Sequence, residues 1–480
     1  MRPAFHEFVV CGVIVTTLLV PAPAVSQATL PSRSAAAIDT LFSTYAHSGS
    51  PGCGVAVYQN GAMTFSRGYG FANLTYDVAI TPSTRFTVGS VSKQFTAASI
   101  ALLVQAGRIS LDDDVRKYIP EFPEYTPAVK VRHLVHHTSG LRDFWELVSL
   151  AGMRNDDGYG VDDMFALAAR QKGLNFVPGS EYRYSNTGYL TLGVLVQRVT
   201  GQSLRRFADS AFFRPLGMRE TLFLDDHNEI IPRRAAAYSP NGGGWRVDIW
   251  NNDLVGQGGI VTTLADLQRW DENFYDAKVG GRAFVDLMQT TEPLTSGTAN
   301  DYAFGLTVES YRGLKLVQHT GATGGYRAAL YRFPEQHTSV AMLCNTSTAN
   351  TGALSLRMAD IVLRDALGPV AVTARGAGAG AANARTAGAP RPAEQAAIVG
   401  RYTSVELNDA VWEVVADGAS LQIRRPRNRP TTLTATDVAY RYTDGAGLLV
   451  RFDAPVRGKS AGFQLDGNRV SKIRFVRVVQ

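Results

Sequence analysis

The chain has 480 residues, 45% of them hydrophobic and 19% charged, with a formal net charge of +6. That length is more than one hydrophobic core organises, so two or more domains are expected, with the composition of an ordinary globular protein. The densest positive group, Arg424, Arg425, Arg427 and Arg429, reads as a solvated basic face; no nucleic-acid-binding motif accompanies it, and no nucleic-acid partner is expected.

Arg2 is followed by an apolar run over residues 8–20 and by Ala24-Val25-Ser26. A weakly positive start, an apolar stretch too short to span a bilayer and small residues for cleavage describe an export signal over residues 1–26. The mature protein is then expected in the periplasm or outside the cell, with no membrane span; an uncleaved anchor is the alternative. A helix is expected over 35–48, with Ile38, Leu41, Phe42 and Tyr45 on one face. Short apolar runs at 55–58 and 63–65 flank Asn60-Gly61, a hairpin signal.

Next comes Gly89-Ser90-Val91-Ser92-Lys93. From Ser90 to Gln105 there is no Gly or Pro, and Phe95, Ala98, Leu102 and Leu103 recur at helical spacing until Gly107. Ser90 and Lys93 then share one face of the first turn. A serine hydroxyl becomes a nucleophile when something takes its proton, and a lysine can do so if desolvation and the positive helix end depress its pKa. The helix start also offers free N–H groups to an oxyanion. Taken alone, Ser90 to Lys93 are better read as a serine cap with a solvated lysine one turn on.

Residues 112–284 read as helices and long loops. His133, His136 and His137 have no acidic or cysteine partner at ligand spacing, so packing is expected there and no metal. A Pro178-Gly179 turn delivers Tyr182-Arg183-Tyr184-Ser185-Asn186 into a helix over 189–199, and Gly258-Gly259 precedes another. Strands are expected over 314–321, 326–333 and 339–344, then a helix over 354–366. Residues 373–389 are almost wholly Ala, Gly, Arg and Thr, the core of a flexible linker set at 369–394. Their Gly-Ala-Gly-Ala-Gly lacks the strand and helix of a dinucleotide loop, and no cofactor is expected. Beyond, over 395–480, short alternating strands are punctuated by Asp417-Gly418, Asp444-Gly445 and Asp466-Gly467, suggesting a small antiparallel barrel or sandwich.

Ser90-x-x-Lys93, Tyr184-Ser185-Asn186 and His319-Thr320-Gly321 occur in that order on a helix, a loop and a strand. In this the chain resembles the serine β-lactamase and penicillin-binding family, in particular its class C, D-alanyl-D-alanine carboxypeptidase, D-aminopeptidase and esterase branch. His137-Thr138-Ser139-Gly140, Pro215-Leu216-Gly217-Met218 and the stretch from Gly258-Gly259 to Trp270 are similar to the same branch, and the resemblance spans residues 35–368. It implies an α/β (α+β) fold class: an antiparallel sheet flanked by helices, with a helical subdomain and a cleft between them, ahead of the small all-β domain. It also implies a Ser90 acyl-enzyme, with Lys93 as base or proton relay and Tyr184 as proton donor to the leaving group. Tyr184 suits that role if a neighbouring cation holds its pKa down. Asn186 would orient a substrate amide or Lys93. His319, Thr320 and Gly321 would line one side of the cleft, and the N–H groups of Ser90 and Ala322 would form the oxyanion hole.

Most β-lactamases of this family carry Lys where His319 stands, and histidine is only partly protonated at neutral pH. The expected substrates are therefore, in order, a peptide with a D-residue at the cleaved bond, an ester, and a β-lactam as a slow or inhibitory substrate; peptidoglycan is a candidate partner. The reading of another class is a catalytically inactive peptidoglycan- or partner-binding module. The chain has no Gly-x-Ser-x-Gly elbow, which argues against an α/β-hydrolase. By the same resemblance, the strands bearing Cys53 and Cys344 lie side by side. A disulfide across them and a pair of buried thiols both remain open.

Overall fold

The computed structural model describes residues 29–154, 156–369, 392–418, 420–425 and 427–479. The expected signal over 1–26 and most of the expected linker lie outside the described residues. The chain starts with helix α1 (Ser32–Phe42), which tightens into a 3-10 turn at Ser43–Tyr45 and so stops short of residue 48. Strands β1 (Cys53–Gln59) and β2 (Ala62–Tyr69) follow. They turn on Asn60 and Gly61, whose φ angles of 50° and 79° are both positive, as a two-residue hairpin of this hand requires.

A 3-10 turn at Gly89–Ser92 then feeds α2 (Lys93–Gln105), so Ser90 precedes the α-helix proper. α2 is buried on nearly every side. Two of its polar side chains bond inside: Thr96 Oγ1 donates to the Gly256 carbonyl at 2.7 Å, and Gln94 Oε1 accepts from Trp270 Nε1 at 2.6 Å. Helices α3 (Phe144–Leu150), α4 (Val161–Ala169) and α5 (Asn186–Thr200) build the helical half, and α6 (Leu264–Asp276) returns the chain to the sheet. Four strands complete that sheet: β3 (Thr307–Tyr311), β4 (Leu314–Thr323), β5 (Tyr326–Phe333) and β6 (Thr338–Cys344). α7 (Thr351–Val362) follows them.

The sheet order is β3-β4-β5-β6-β1-β2, every neighbour antiparallel. Both of its faces are covered. Val55 and Val57 of β1 pack with α1 and α7, while Ala56 and Tyr58 face the α2 and α6 side. This is why β1 reads as a continuous apolar run and not as an alternation. Cys53 stands directly opposite Cys344, with Cα atoms 4.0 Å apart, and the two are joined in a disulfide. Of the two readings left open by the sequence, the structure has the bridge.

After a short helix α8 (Pro392–Ile398), eight strands close into an antiparallel barrel. They are β7 (Gly400–Ser404), β8 (Ala410–Asp417), β9 (Ser420–Arg424), β10 (Thr431–Ala435), β11 (Arg441–Thr443), β12 (Leu449–Phe452), β13 (Gly462–Asp466) and β14 (Ile473–Arg477). Tyr402, Trp412, Phe463 and Phe475 fill it, in one apolar cluster with Phe144 and Leu147 of α3 and Met164 and Leu167 of α4. Trp412 Nε1 donates to the Leu150 carbonyl at 2.8 Å. Arg142 and Glu406 form a buried pair at 2.5 Å across the same contact, their side chains 2% and 6% exposed. Among the described residues, no helix is long and apolar enough to cross a membrane.

Candidate active site

A cleft of about 890 Å³ opens between the sheet and the helical half, and Ser90, Tyr184, Asn186, His319, Thr320, Gly321 and Ala322 all line it. Ser90 reaches it because the chain bends sharply just before it. Gly89 has φ +52°, and a Cβ there would stand 2.6 Å from the Ala322 nitrogen. A Cβ on Gly321 would stand 2.0 Å from the Val88 carbonyl oxygen. Only glycine permits this approach at either position. It brings the N–H groups of Ser90 and Ala322 to the same part of the cleft, where an oxyanion could sit between them.

Lys93 lies behind Ser90, fully buried. Its Nζ is 3.2 Å from Ser90 Oγ, 2.9 Å from Asn186 Oδ1 and 2.6 Å from the Gln257 carbonyl oxygen. Burial pushes its pKa well below the ordinary value; Asp143 opposes that shift and Arg469 adds to it. A neutral amine has two protons and one lone pair. Asn186 Oδ1 and the Gln257 carbonyl can only accept, so they take both protons and leave the lone pair facing Ser90. Asn186 cannot turn over, because its Nδ2 donates to Asp143 Oδ2 at 2.8 Å and its backbone N–H to the same oxygen at 2.7 Å. Asn186 Oδ1 is thereby held facing Lys93 Nζ.

Tyr184 packs its ring 4.7 Å from Lys93 Nζ and 5.1 Å from the Arg469 guanidinium. Its hydroxyl is buried without a hydrogen-bond partner among the described residues. The condition set for its role is a neighbouring cation that holds its pKa down. Instead burial dominates and raises it, with Ser90 and Arg469 opposing only in part. Tyr184 thus stays a phenol, able to donate a proton.

His319, expected to line the cleft and to be only partly protonated, is held at both ring nitrogens. Its Nδ1 is 2.5 Å from the Thr320 carbonyl, which only accepts, so Nδ1 carries the proton. Nε2 then accepts from the Tyr302 hydroxyl at 2.9 Å. Burial, with Lys93 close by, lowers its pKa to about 4. A neutral ring locked at both nitrogens supplies neither charge nor a free donor to the cleft. Beyond it, β4 runs on from His319 to Thr323 past the last residue paired with β3, Gln318. The strand edge there is not occupied by β3.

Sequence reasoning missed Asp143, Gln257, Tyr302 and Arg469. Asp143 carries a signal visible in retrospect: it stands just before an apolar run and caps α3 through Trp145 N–H. Arg469 carries none. It belongs to the β13–β14 loop of the barrel, the one announced only as a turn at Asp466-Gly467. That loop is clamped into the helical half by Glu146, which accepts from the N–H groups of Asn468 at 2.9 Å and Arg469 at 2.6 Å. The Arg469 carbonyl accepts from Asp143 N–H at 3.2 Å, and its guanidinium lies 3.8 Å from the Asp143 carboxylate.

The three neighbouring histidines make separate bonds. His133 Nδ1 accepts from Lys130 N–H, His137 Nδ1 from Ser185 N–H, and His136 Nδ1 lies 2.8 Å from the Tyr302 carbonyl. A different group, Asp226, His227 and Asp253, has ligand-type atoms within 4.8 Å of one another among the described residues. Within it, His227 Nδ1 and Asp253 Oδ1 are hydrogen-bonded at 2.8 Å.

A family model described as Beta-lactamase matches residues 38–364, the stretch that carries this whole arrangement except Arg469. The chain belongs to the β-lactamase family. It is 31% identical over 306 residues to a D-aminopeptidase of Brucella anthropi, a match covering 62% of this chain and 57% of that protein. The D-aminopeptidase of Brucella canis is 29% identical over 319 residues, covering 65% and 60%. The chain thus spans somewhat less than two thirds of the length of the curated relatives it matches. Among solved structures, a penicillin-binding protein homologue from Pyrococcus abyssi superposes with a TM-score of 0.62 at 21% identity, over 93% of this chain and 99% of that one. The D-amino acid amidase of Ochrobactrum anthropi gives a TM-score of 0.58 at 22% identity, over 69% and 98%. These two establish the shared fold.

Proposed function

We propose that this β-lactamase-family member is an exported serine hydrolase that forms an acyl-enzyme on Ser90. The observation that carries the reading is Lys93, buried, low in pKa and bonded so that its lone pair meets Ser90 Oγ at 3.2 Å. Ser90 Oγ attacks an acyl carbonyl and its proton passes to Lys93, while the N–H groups of Ser90 and Ala322 hold the oxyanion. Tyr184 gives its proton to the departing amine or alcohol and regains one from Lys93, whose buried ammonium is quick to release it. A water then repeats the sequence on the ester to free the acid.

The substrate we propose is an amide or ester with a D-configured residue at the cleaved bond. Supporting it are the D-aminopeptidase relatives and the fold shared with a D-amino acid amidase. A β-lactam is the second choice, because the neutral His319 withholds the cation that a lactam carboxylate would meet. Export is supported by the apolar run over residues 8–20 and by the disulfide, since such bridges persist in oxidising compartments. Mass spectrometry after treatment with a fluorophosphonate tests the reading. A single adduct on Ser90, absent in Ser90→Ala, is expected; an adduct elsewhere, or none, overturns it.

A further inference from the structure

Tyr184 has to present its hydroxyl to the leaving group, yet that hydroxyl is buried with no hydrogen-bond partner among the described residues. Its place is therefore set by the rings around it and by the backbone on either side. One residue holds the backbone on both sides. The His137 carbonyl accepts from Arg183 N–H at 2.9 Å, and His137 Nδ1 accepts from Ser185 N–H at 3.1 Å. The same imidazole packs its ring centre 4.2 Å from that of Tyr184 and 4.4 Å from that of Tyr302.

Two features separate this arrangement from ordinary packing. His137 has a φ of 57°, in the left-handed region that residues with a side chain seldom adopt. Such a backbone costs free energy and persists where its surroundings fix it, often at functional sites. The second feature is the ring itself. Burial, with Lys93, His319 and Arg469 nearby, pushes its pKa well below the ordinary value and keeps it neutral. With Nδ1 accepting, the proton sits on Nε2, and that nitrogen is buried with no partner among the described residues. Filling space alone would not call for a buried, unsatisfied donor, which costs stability.

We propose that His137 is a positioning residue for the reaction: it pins the peptide units on both sides of Tyr184 and so fixes the phenol at the departing group. It moves no proton itself. Its role rests on the acyl-enzyme reading with Tyr184 as proton donor. A displaced donor costs little where the leaving group departs without a proton, and much where it needs one.

The test is kcat/KM on 4-nitrophenyl, phenyl and 2-methoxyethyl acetates, which follows acylation as the leaving oxygen becomes more basic. His137→Gly removes the acceptor without straining the backbone. It should stay within about threefold of wild type on the nitrophenyl ester and fall by about a hundredfold on the alkyl ester, the lower end of what a placed general acid supplies. His137→Asn should recover most of that loss, because its Oδ1 can accept from Ser185 N–H and asparagine tolerates this φ. Tyr184→Phe should show the same dependence on leaving group, and the double variant should be no worse than Tyr184→Phe. Equal losses on all the esters, losses that add in the double variant, or no recovery with Asn overturns the role. Should His137→Gly not fold, His137→Leu, which keeps the bulk without the acceptor, takes its place. A Tyr184→Phe loss independent of leaving group, or no acylation of Ser90 at all, breaks the acyl-enzyme reading instead. Amide exchange at Arg183 and Ser185 then decides the clamp. Protection lost in His137→Gly and kept in His137→Asn supports it; unchanged protection overturns it.

Discussion

Lys93 and His319 are two basic side chains buried on opposite sides of one cleft, and burial is the largest cause of the lowered pKa in each. They differ in where the lone pair of the neutral form points. Around Lys93, two obligate acceptors use both protons and aim the lone pair at Ser90. Around His319, one carbonyl holds the proton and the Tyr302 hydroxyl occupies the lone pair. The same electrostatic setting therefore yields a base in one place and a structural strut in the other. The residue type and its place in a motif do not separate the two cases; the identity of the neighbouring acceptors and donors does.

The largest test of that difference is Lys93→Ala. It should lower kcat/KM on an activated ester by about a thousandfold or more, close to the loss in Ser90→Ala, because groups acting as a unit are not additive. The double variant should be no worse than the worse single one. A double variant far below both would break the coupling. The wild-type rate should rise with pH as Lys93 gives up its proton, at a pH well below that of an ordinary lysine.

Asn186→Ala comes next, with a loss of roughly a hundredfold. One acceptor would vanish and the lone pair of Lys93 would no longer be aimed at Ser90. The signature of a positioning role is a fall in kcat with little change in KM, and a displaced acid limb of the pH–rate profile. A pure rise in KM would instead mean that Asn186 contacts substrate.

On the other side, His319→Gln should show itself in stability. His319 is neutral when folded, with a pKa of about 4, whereas an unfolded histidine titrates near 6.5. A lowered histidine pKa means the unfolded chain binds the extra proton first. Stability is then fully present above about pH 6.5 and is lost as pH falls toward 4, by on the order of 3 kcal/mol. Gln removes this share of the slope, while His133, also lowered to about 4, keeps its own. Denaturant unfolding across that window decides it, and identical slopes would mean that His319 is not buried neutral.

Much of this was legible in the sequence, and the missing part has a common cause. The Asn60-Gly61 hairpin, Gly89 just before Ser90 and the three ordered motifs are local, so composition and spacing report them. The Asp466-Gly467 turn was legible as a turn, but its function as the stem of the loop carrying Arg469 into the cleft depends on Glu146, which lies more than 300 residues away. Asp143 and Tyr302 likewise act through partners distant in sequence. The conformation of His319 follows from one such partner, and its neutrality from burial that only the folded chain creates. No single-sequence pattern encodes either.

The smallest expected effect belongs to Tyr302→Phe, and it sharpens the contrast most. The hydroxyl that would be lost donates to His319 Nε2 and touches neither Ser90 nor Lys93 in a hydrogen bond. Its removal leaves a buried acceptor without a donor, which costs about 1 kcal/mol of stability. Neutral-ester turnover should stay within about threefold of wild type, because the proton path from Ser90 to Lys93 to the leaving group does not cross this bond. The ring itself still packs 4.4 Å from His137 and 6.2 Å from Tyr184, so Phe preserves the wall of the cleft. The freed Nε2 lone pair would also be open to a proton, and the acid loss of stability should begin at a higher pH than in wild type. If turnover instead falls by a hundredfold with stability unchanged, the His319–Tyr302 pair belongs to the proton path, and the division between the two sides of the cleft is wrong.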